Sequence, residues 1–193
     1  MITHLQGKLI EKNPTDVVIE CNGVGYFVNI SLYTYSKITN SENIKLFTHL
    51  QVKEDSHTLY GFVSPAERGI FRLLISVSGV GASTARTMLS SLEPAQVRDA
   101  IAGGDVATIQ SVKGIGAKTA QRVILDLKDK VLKIYDIDQV SVVKSNTHKD
   151  EALSALEVLG FVRRQSEKVV ERILSESPDI QVEEIIKRAL KNL

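Results

Sequence analysis

The chain has 193 residues, 43% of them apolar, and a formal net charge of +1, which suits one to three small domains with apolar cores. No apolar run approaches the ~20 residues of a membrane-spanning helix, the N-terminus lacks a secretory pattern, and the single Cys21 excludes an intrachain disulfide or a multi-cysteine metal site. The four histidines (His4, His49, His57 and His148) are scattered without a ligand pair at helical spacing. No metal or other cofactor is therefore expected, and the reducing cytoplasm is the expected location.

Residues 1–63 predict a small β-barrel. Five short segments, at 5–11, 16–21, 25–30, 44–52 and 58–62, alternate and are rich in Val, Ile, Tyr and Phe. Asn13-Pro14, Asn22-Gly23 and residues 39–43 supply the turns between them. Five strands in about 60 residues suit an OB-type barrel, a frequent nucleic-acid platform, and no helix of useful length is expected there. Lys53-Glu54-Asp55-Ser56 forms the tip of the last hairpin. Glu54 and Asp55 fit an ordinary solvated turn, or a repulsive element that keeps phosphates at a distance. Without a His partner or further ligands they do not suggest catalysis.

Residues 64–135 predict helices. Ser64 and Pro65 provide an N-cap and a first-turn proline, and apolar residues at 70, 73, 74 and 77 keep helical spacing. Glu93-Pro94 opens a connecting helix that stops at Gly103-Gly104, and Asp105 can cap the next. Within this region a 17-residue stretch occurs twice. Residues 76–92 and 111–127 match at 8 of 17 positions when displaced by 35, and both carry Gly-aliphatic-Gly before an Ala- and Leu-rich helical pattern.

The two glycines of each copy are expected to turn the chain with positive φ and to let another surface come close. Val80 or Ile115 between them can tuck between the helices. The following helix then begins at Ala82 or Ala117 with unpaired N–H groups and a positive dipole end, which suits a phosphate. Lys118 and Arg122, at i and i+4, share a face and can bracket one backbone. The alternative is a tight turn with no ligand. A dinucleotide fingerprint would need a third glycine and a preceding strand, and a Walker loop its own spacing; neither is present. The pattern resembles the helix-hairpin-helix family, which grips DNA phosphates without reading bases.

Charge supports this resemblance once the chain is divided. Residues 1–63 carry five Lys/Arg against six Asp/Glu, residues 64–135 ten against six, and residues 136–193 nine against eleven. The basic excess lies wholly in the piece with the duplicated turns, as an electrostatic footprint should. Residues 136–149 then lose periodicity and suggest a linker. Three short helices follow at 150–159, 164–175 and 182–193, separated by Gly160 and Pro178-Asp179. So small a bundle suits docking better than catalysis.

The whole order (barrel 1–63, tandem hairpins 64–135, linker 136–149, three-helix bundle 150–193) resembles the bacterial RuvA family of Holliday-junction recognition subunits. Asn22-Gly23-Val24-Gly25-Tyr26, Glu54-Asp55, Leu59-Tyr60-Gly61-Phe62, Gly79-Val80-Gly81 and Gly114-Ile115-Gly116-Ala117-Lys118-Thr119-Ala120 carry the resemblance. It implies an α+β multidomain protein with no catalytic residues and no ATPase site. Gly79, Val80, Gly81, Ala82, Ser83 and Arg86 in the first hairpin would contact the DNA backbone. Gly114, Ile115, Gly116, Lys118, Thr119 and Arg122 would do so in the second. Glu54 and Asp55 would form an acidic pin at the junction centre. Leu156, Leu159, Phe161 and Leu190 would dock the hexameric RuvB ATPase. The resemblance further implies four-way junction DNA as ligand, a homotetramer or an octamer on DNA, the RuvC resolvase as a further partner, and no membrane. Ser83 and Ala117 stand where the family usually has lysines, which implies weaker electrostatic binding and more reliance on backbone amides and Arg86. Two other classes remain open: a glycosylase or nuclease that uses the hairpins for grip, and a protein-binding adaptor. Asp126 and Asp129 are the carboxylates an enzyme would offer; otherwise they are solvent-facing partners of Lys128, Lys130 or Lys133.

Overall fold

The computed structural model describes residues 1–39, 41–139, 148–177 and 180–193, which form two compact units, 1–139 and 140–193. The first unit opens with β1 (His4–Lys12), β2 (Asp16–Cys21), β3 (Val24–Ile30), a short helix α1 (Leu32–Lys37), β4 (Asn43–Val52) and β5 (His57–Phe62). The strands close into a barrel in the order β1-β2-β3-β5-β4, antiparallel except for β3 beside β5. Alternation puts Leu5, Val17, Ile19, Val28, Ile30 and Leu46 inside. The Asn22-Gly23 turn takes positive φ at both residues (51° and 82°), as a tight two-residue hairpin requires. At Gly7 a Cβ would lie 2.1 Å from the Glu20 carbonyl oxygen, so only glycine allows β1 and β2 to close there.

The helix α1 departs from the sequence expectation. Six residues are too few to register as a helical period; a side-chain network forms it instead. The Ser31 hydroxyl accepts from the Thr34 N–H at 3.0 Å and caps the helix. The same hydroxyl donates to Glu67 Oε1 at 2.7 Å, and Thr34 Oγ1 lies 2.8 Å from both carboxylate oxygens. The Val63 N–H donates to Glu67 Oε2 at 3.1 Å.

Glu67 belongs to α2 (Pro65–Ile75), the first helix after the barrel. It is followed by α3 (Ala82–Ser91), α4 (Pro94–Gly103), α5 (Val106–Gln110) and α6 (Ala117–Gln139). A buried carboxylate without partners would cost several kcal/mol; here barrel and helix both donate to it, and it ties them together. Phe71 adds an apolar joint, with ring centroids 4.9 Å from Phe62 and 5.1 Å from Tyr60. The helical core is built from Leu74, Val77, Met88, Leu89, Ile101, Ile109, Val123 and Leu127.

The helix α6 runs to Gln139, past position 135, because no Gly or Pro interrupts 117–139. Of the expected linker 136–149, positions 136–139 are thus helical, 148–149 open the next helix, and 140–147 lie outside the described residues. The second unit contains α7 (His148–Val158), α8 (Arg163–Glu176) and α9 (Val182–Leu190) around Ala152, Leu153, Leu156, Val170, Ile173 and Ile185. The expected Pro178-Asp179 break lies outside the described residues. Among the described residues no helix is long and apolar enough to cross a membrane.

Burial pushes the Glu67 carboxyl above its ordinary value, although the Ser31, Thr34 and Val63 donors oppose the shift. A folded-state pKa above the unfolded one means that protonation favours the fold. The gain is absent where both states are ionised and is complete below the unfolded value. Thermal unfolding of the chain beside its Glu67→Gln variant should therefore show the unmodified protein gaining stability relative to the variant as pH falls from neutrality into the ordinary carboxylate range. A pH-independent difference would contradict the shift.

Candidate nucleic-acid interface

The duplicated sequence folds into duplicated backbone. In the first copy Val77 N–H donates to Leu74 O (3.1 Å), Val80 N–H to Val77 O (3.0 Å) and Ala85 N–H to Gly81 O (2.9 Å). In the second, Val112 donates to Ile109 O (3.4 Å), Ile115 to Val112 O (3.1 Å) and Ala120 to Gly116 O (2.9 Å). Val80 and Ile115 are equally buried, each 5% exposed, so the wedge expected between the glycines is present in both turns.

The glycines divide differently from the expectation. Only the first of each pair takes positive φ: 94° at Gly79 and 92° at Gly114. Gly81 has φ −86° and ψ 167°, which any residue adopts, and Gly116 also lies outside the left-handed region. A Cβ at Gly81 or Gly116 would meet nothing within 4 Å. Neither strain nor internal packing requires glycine at these two positions. Both positions are exposed.

The amides behind those glycines are left open. In the same unit α1, α2 and α5 each receive a side-chain N-cap, from Ser31, Ser64 and Asp105. The N-cap of α3 is Gly81, and no side chain closes that helix end. Gly116 likewise has no side chain with which to cap α6. Neither α3 nor α6 has an acid in its first turn. A helix that starts behind a glycine, with no side chain to cap it and no acid in its first turn, presents N–H groups and a positive dipole end that suit an anion.

The two turns sit against each other. A Cβ on Gly79 would lie 3.8 Å from Thr119 Oγ1 of α6, and Arg122 Nη1 donates to the Ser78 carbonyl at 3.4 Å. Lys118 and Arg122 are exposed, as their shared face predicts, while Ala82 is buried and offers only its backbone. Ser83 is exposed and its carbonyl accepts from Thr87 Oγ1 at 3.0 Å.

Arg86 is placed elsewhere. Its guanidinium donates to Asn29 Oδ1 at 2.8 Å and to Thr15 O at 3.3 Å, so it fastens α3 to the barrel. No local signal in the sequence could have shown this, because the partners lie 57 and 71 positions away.

Glu54 and Asp55 stand exposed at the β4–β5 tip, where the Lys53 N–H donates to Ser56 O at 2.8 Å and closes the turn. Asp126 and Asp129 are exposed, and among the described residues neither pairs with Lys128 or Lys130. No group of three or more His, Cys, Asp or Glu among the described residues could hold a metal ion.

In the second unit one expected docking residue is corrected. Leu156 is fully buried with Leu153 and Ile173 and presents no surface. Gly160 (φ 95°) ends α7, with Gly160 N–H on Glu157 O and Phe161 N–H on Leu156 O, both at 3.0 Å. The turn exposes Leu159, keeps Phe161 half-buried, and exposes Val158 (88%) and Val162 (62%), which the sequence had not singled out. Leu190 is exposed on α9.

These geometries separate the glycines by experiment. Gly79→Ala and Gly114→Ala force a Cβ into the left-handed region and should each cost about 1–2 kcal/mol in denaturant unfolding. Gly81→Ala should leave stability unchanged or raise it by less than about 1 kcal/mol. Equal losses at Gly79 and Gly81 would contradict the assignment.

Comparison with known proteins agrees with this architecture. The RuvA N terminal domain family matches residues 1–61, the SAM-like helix-hairpin-helix tandem 71–129, and the RuvA C-terminal domain 147–193. Relatives called Holliday junction branch migration complex subunit RuvA are 68% identical in Flavobacterium psychrophilum and 72% identical in Christiangramia forsetii, over the full length of both chains. The relative of that name in Bacteroides thetaiotaomicron is 47% identical, again over the full length of both chains. The chain belongs to the RuvA family.

Proposed function

We propose that this chain is the DNA-binding subunit of a branch migration complex: it recognises four-way junctions, holds them open, and recruits a RuvB motor during recombination and repair. One observation carries the proposal. Two equivalent glycine turns leave helix amides uncapped in a unit where α1, α2 and α5 are closed by their own side chains. Backbone donors grip phosphate without regard to sequence, which suits a ligand defined by its branching.

The site residues take roles on this proposal according to what each offers. Gly79, Val80 and Gly81, with Gly114, Ile115 and Gly116, shape the turns. The amides of Ala82, Ser83, Lys118 and Thr119 receive phosphate, while Lys118 and Arg122 neutralise it. Glu54 and Asp55, exposed on a hairpin in the same unit, repel backbones and part strands at the centre. Leu159, Phe161 and Leu190 dock the motor. The divisions 1–63, 64–135 and 150–193 separate platform, grip and docking bundle.

The chain supplies no catalysis and no ATPase site of its own, acts in the cytoplasm, and serves as a platform for RuvC as well. Magnitude favours a tetramer. A contacted phosphate contributes about −0.9 to the slope of log affinity against log salt on B-DNA. One subunit offers few contacts, whereas four around a symmetric centre match four arms and multiply the grip. An octamer doubles it on the opposite face of the junction.

Binding to a synthetic four-way junction and to linear duplex of the same sequence tests the proposal. Marked preference for the junction is the expected result. Equal affinity would contradict it.

A further inference from the structure

The two turns share a backbone but not a charge. At the equivalent pairs 78/113, 83/118 and 87/122 the first copy has Ser78, Ser83 and Thr87, and the second has Lys113, Lys118 and Arg122. Every cation of the second hairpin thus corresponds in sequence to a hydroxyl residue in the first. The remaining cation of the first copy, Arg86, is spent on Asn29 and Thr15 of the barrel. Thr87 donates back to its own helix, to Ser83 O.

Lys113 stands immediately before Gly114, on the entering side of the turn, and Lys118 stands on the leaving side. Both are exposed, and among the described residues neither is in an ion pair. Lys113 follows the buried Val112, whose carbonyl accepts from Ile115 N–H. Its backbone is therefore fixed at the lip of the turn while its ammonium remains in solvent, free to meet an anion. An exposed lysine in a surface loop is ordinarily no more than a solvated charge. Here it stands on the opposite side of the turn from the exposed Lys118.

We propose that Lys113 is a phosphate-neutralising residue of the second turn, and that the two hairpins divide the work: the first grips by backbone amides alone, and the second carries the electrostatic, salt-sensitive share. This rests on the junction-binding function proposed above. It also locates the compensation for Ser83 and Ala117: the missing charge is replaced on the entering side of the second turn by Lys113, and not by Arg86.

The test is the salt dependence of the full chain on a four-way junction, for the unmodified protein, Lys113→Gln and Lys118→Gln. Each lost contact should take about 0.9 from the slope, so over a fourfold rise in salt the variant should lose about 3.5-fold less affinity per contact. The proposal expects both variants to bind more weakly at low salt and with shallower slopes. A shallower slope for Lys118→Gln alone would overturn the role of Lys113 and leave junction binding intact. Unchanged slopes for both would remove the phosphate-binding function with it.

Discussion

Two backbone dihedrals hold the surface proposed for phosphate in place. Gly79 and Gly114 lie in the left-handed region at φ 94° and 92°, where a side chain costs about 1–2 kcal/mol. That conformation brings each chain round sharply enough for Val80 or Ile115 to be buried and for the next helix to start with nothing at its cap. Everything proposed for phosphate depends on those amides facing outward unoccupied. The second glycine of each turn is free of internal constraint, and this makes it informative: on the proposed function, its missing side chain leaves room for phosphate.

The barrel supplies a fixed base for these turns. Among the joints that bind it to the helices are the Glu67 carboxylate between Ser31, Thr34 and Val63, the Phe71 ring among Phe62 and Tyr60, Arg68 on the Thr3 carbonyl, and Arg86 reaching Asn29 and Thr15. The first is a buried charge, which is costly in itself and tolerable only because all of its donors are in place. Such a joint fixes geometry more than it adds stability. The Glu54–Asp55 tip and the glycine turns belong to one compact unit, as the proposed function requires if repulsion at the tip is to act at a set distance from the turns.

Much of this was legible in the sequence, for physical reasons that differ by element. The strands announced themselves by alternation, and β2 falls on 16–21 as expected because its turns are sharp. Ser64, Pro65, Asp105 and Gly160 signalled helix ends through chemistry local to the chain. The repeat exposed the hairpins, since two copies of one turn need the same glycines. What remained hidden was set by tertiary partners. The α1 helix exists because Glu67 waits for it, Arg86 turns to residues far away in sequence, and Leu156 faces inward because of where α8 packs. Periodicity could say that Leu156 and Leu159 are apolar, not which of them the bundle would bury. The inequality between Gly79 and Gly81 was equally out of reach, because both letters are the same.

The most direct test of the central claim is junction affinity of the double variant Gly81→Ala with Gly116→Ala, measured on protein shown to unfold like the unmodified chain. Two methyl groups that disturb nothing inside the molecule should obstruct phosphate at the starts of α3 and α6 and weaken four-way junction binding by about tenfold or more, the equivalent of about 1.4 kcal/mol. Unchanged affinity would mean that the turns are merely structural and that DNA is held elsewhere.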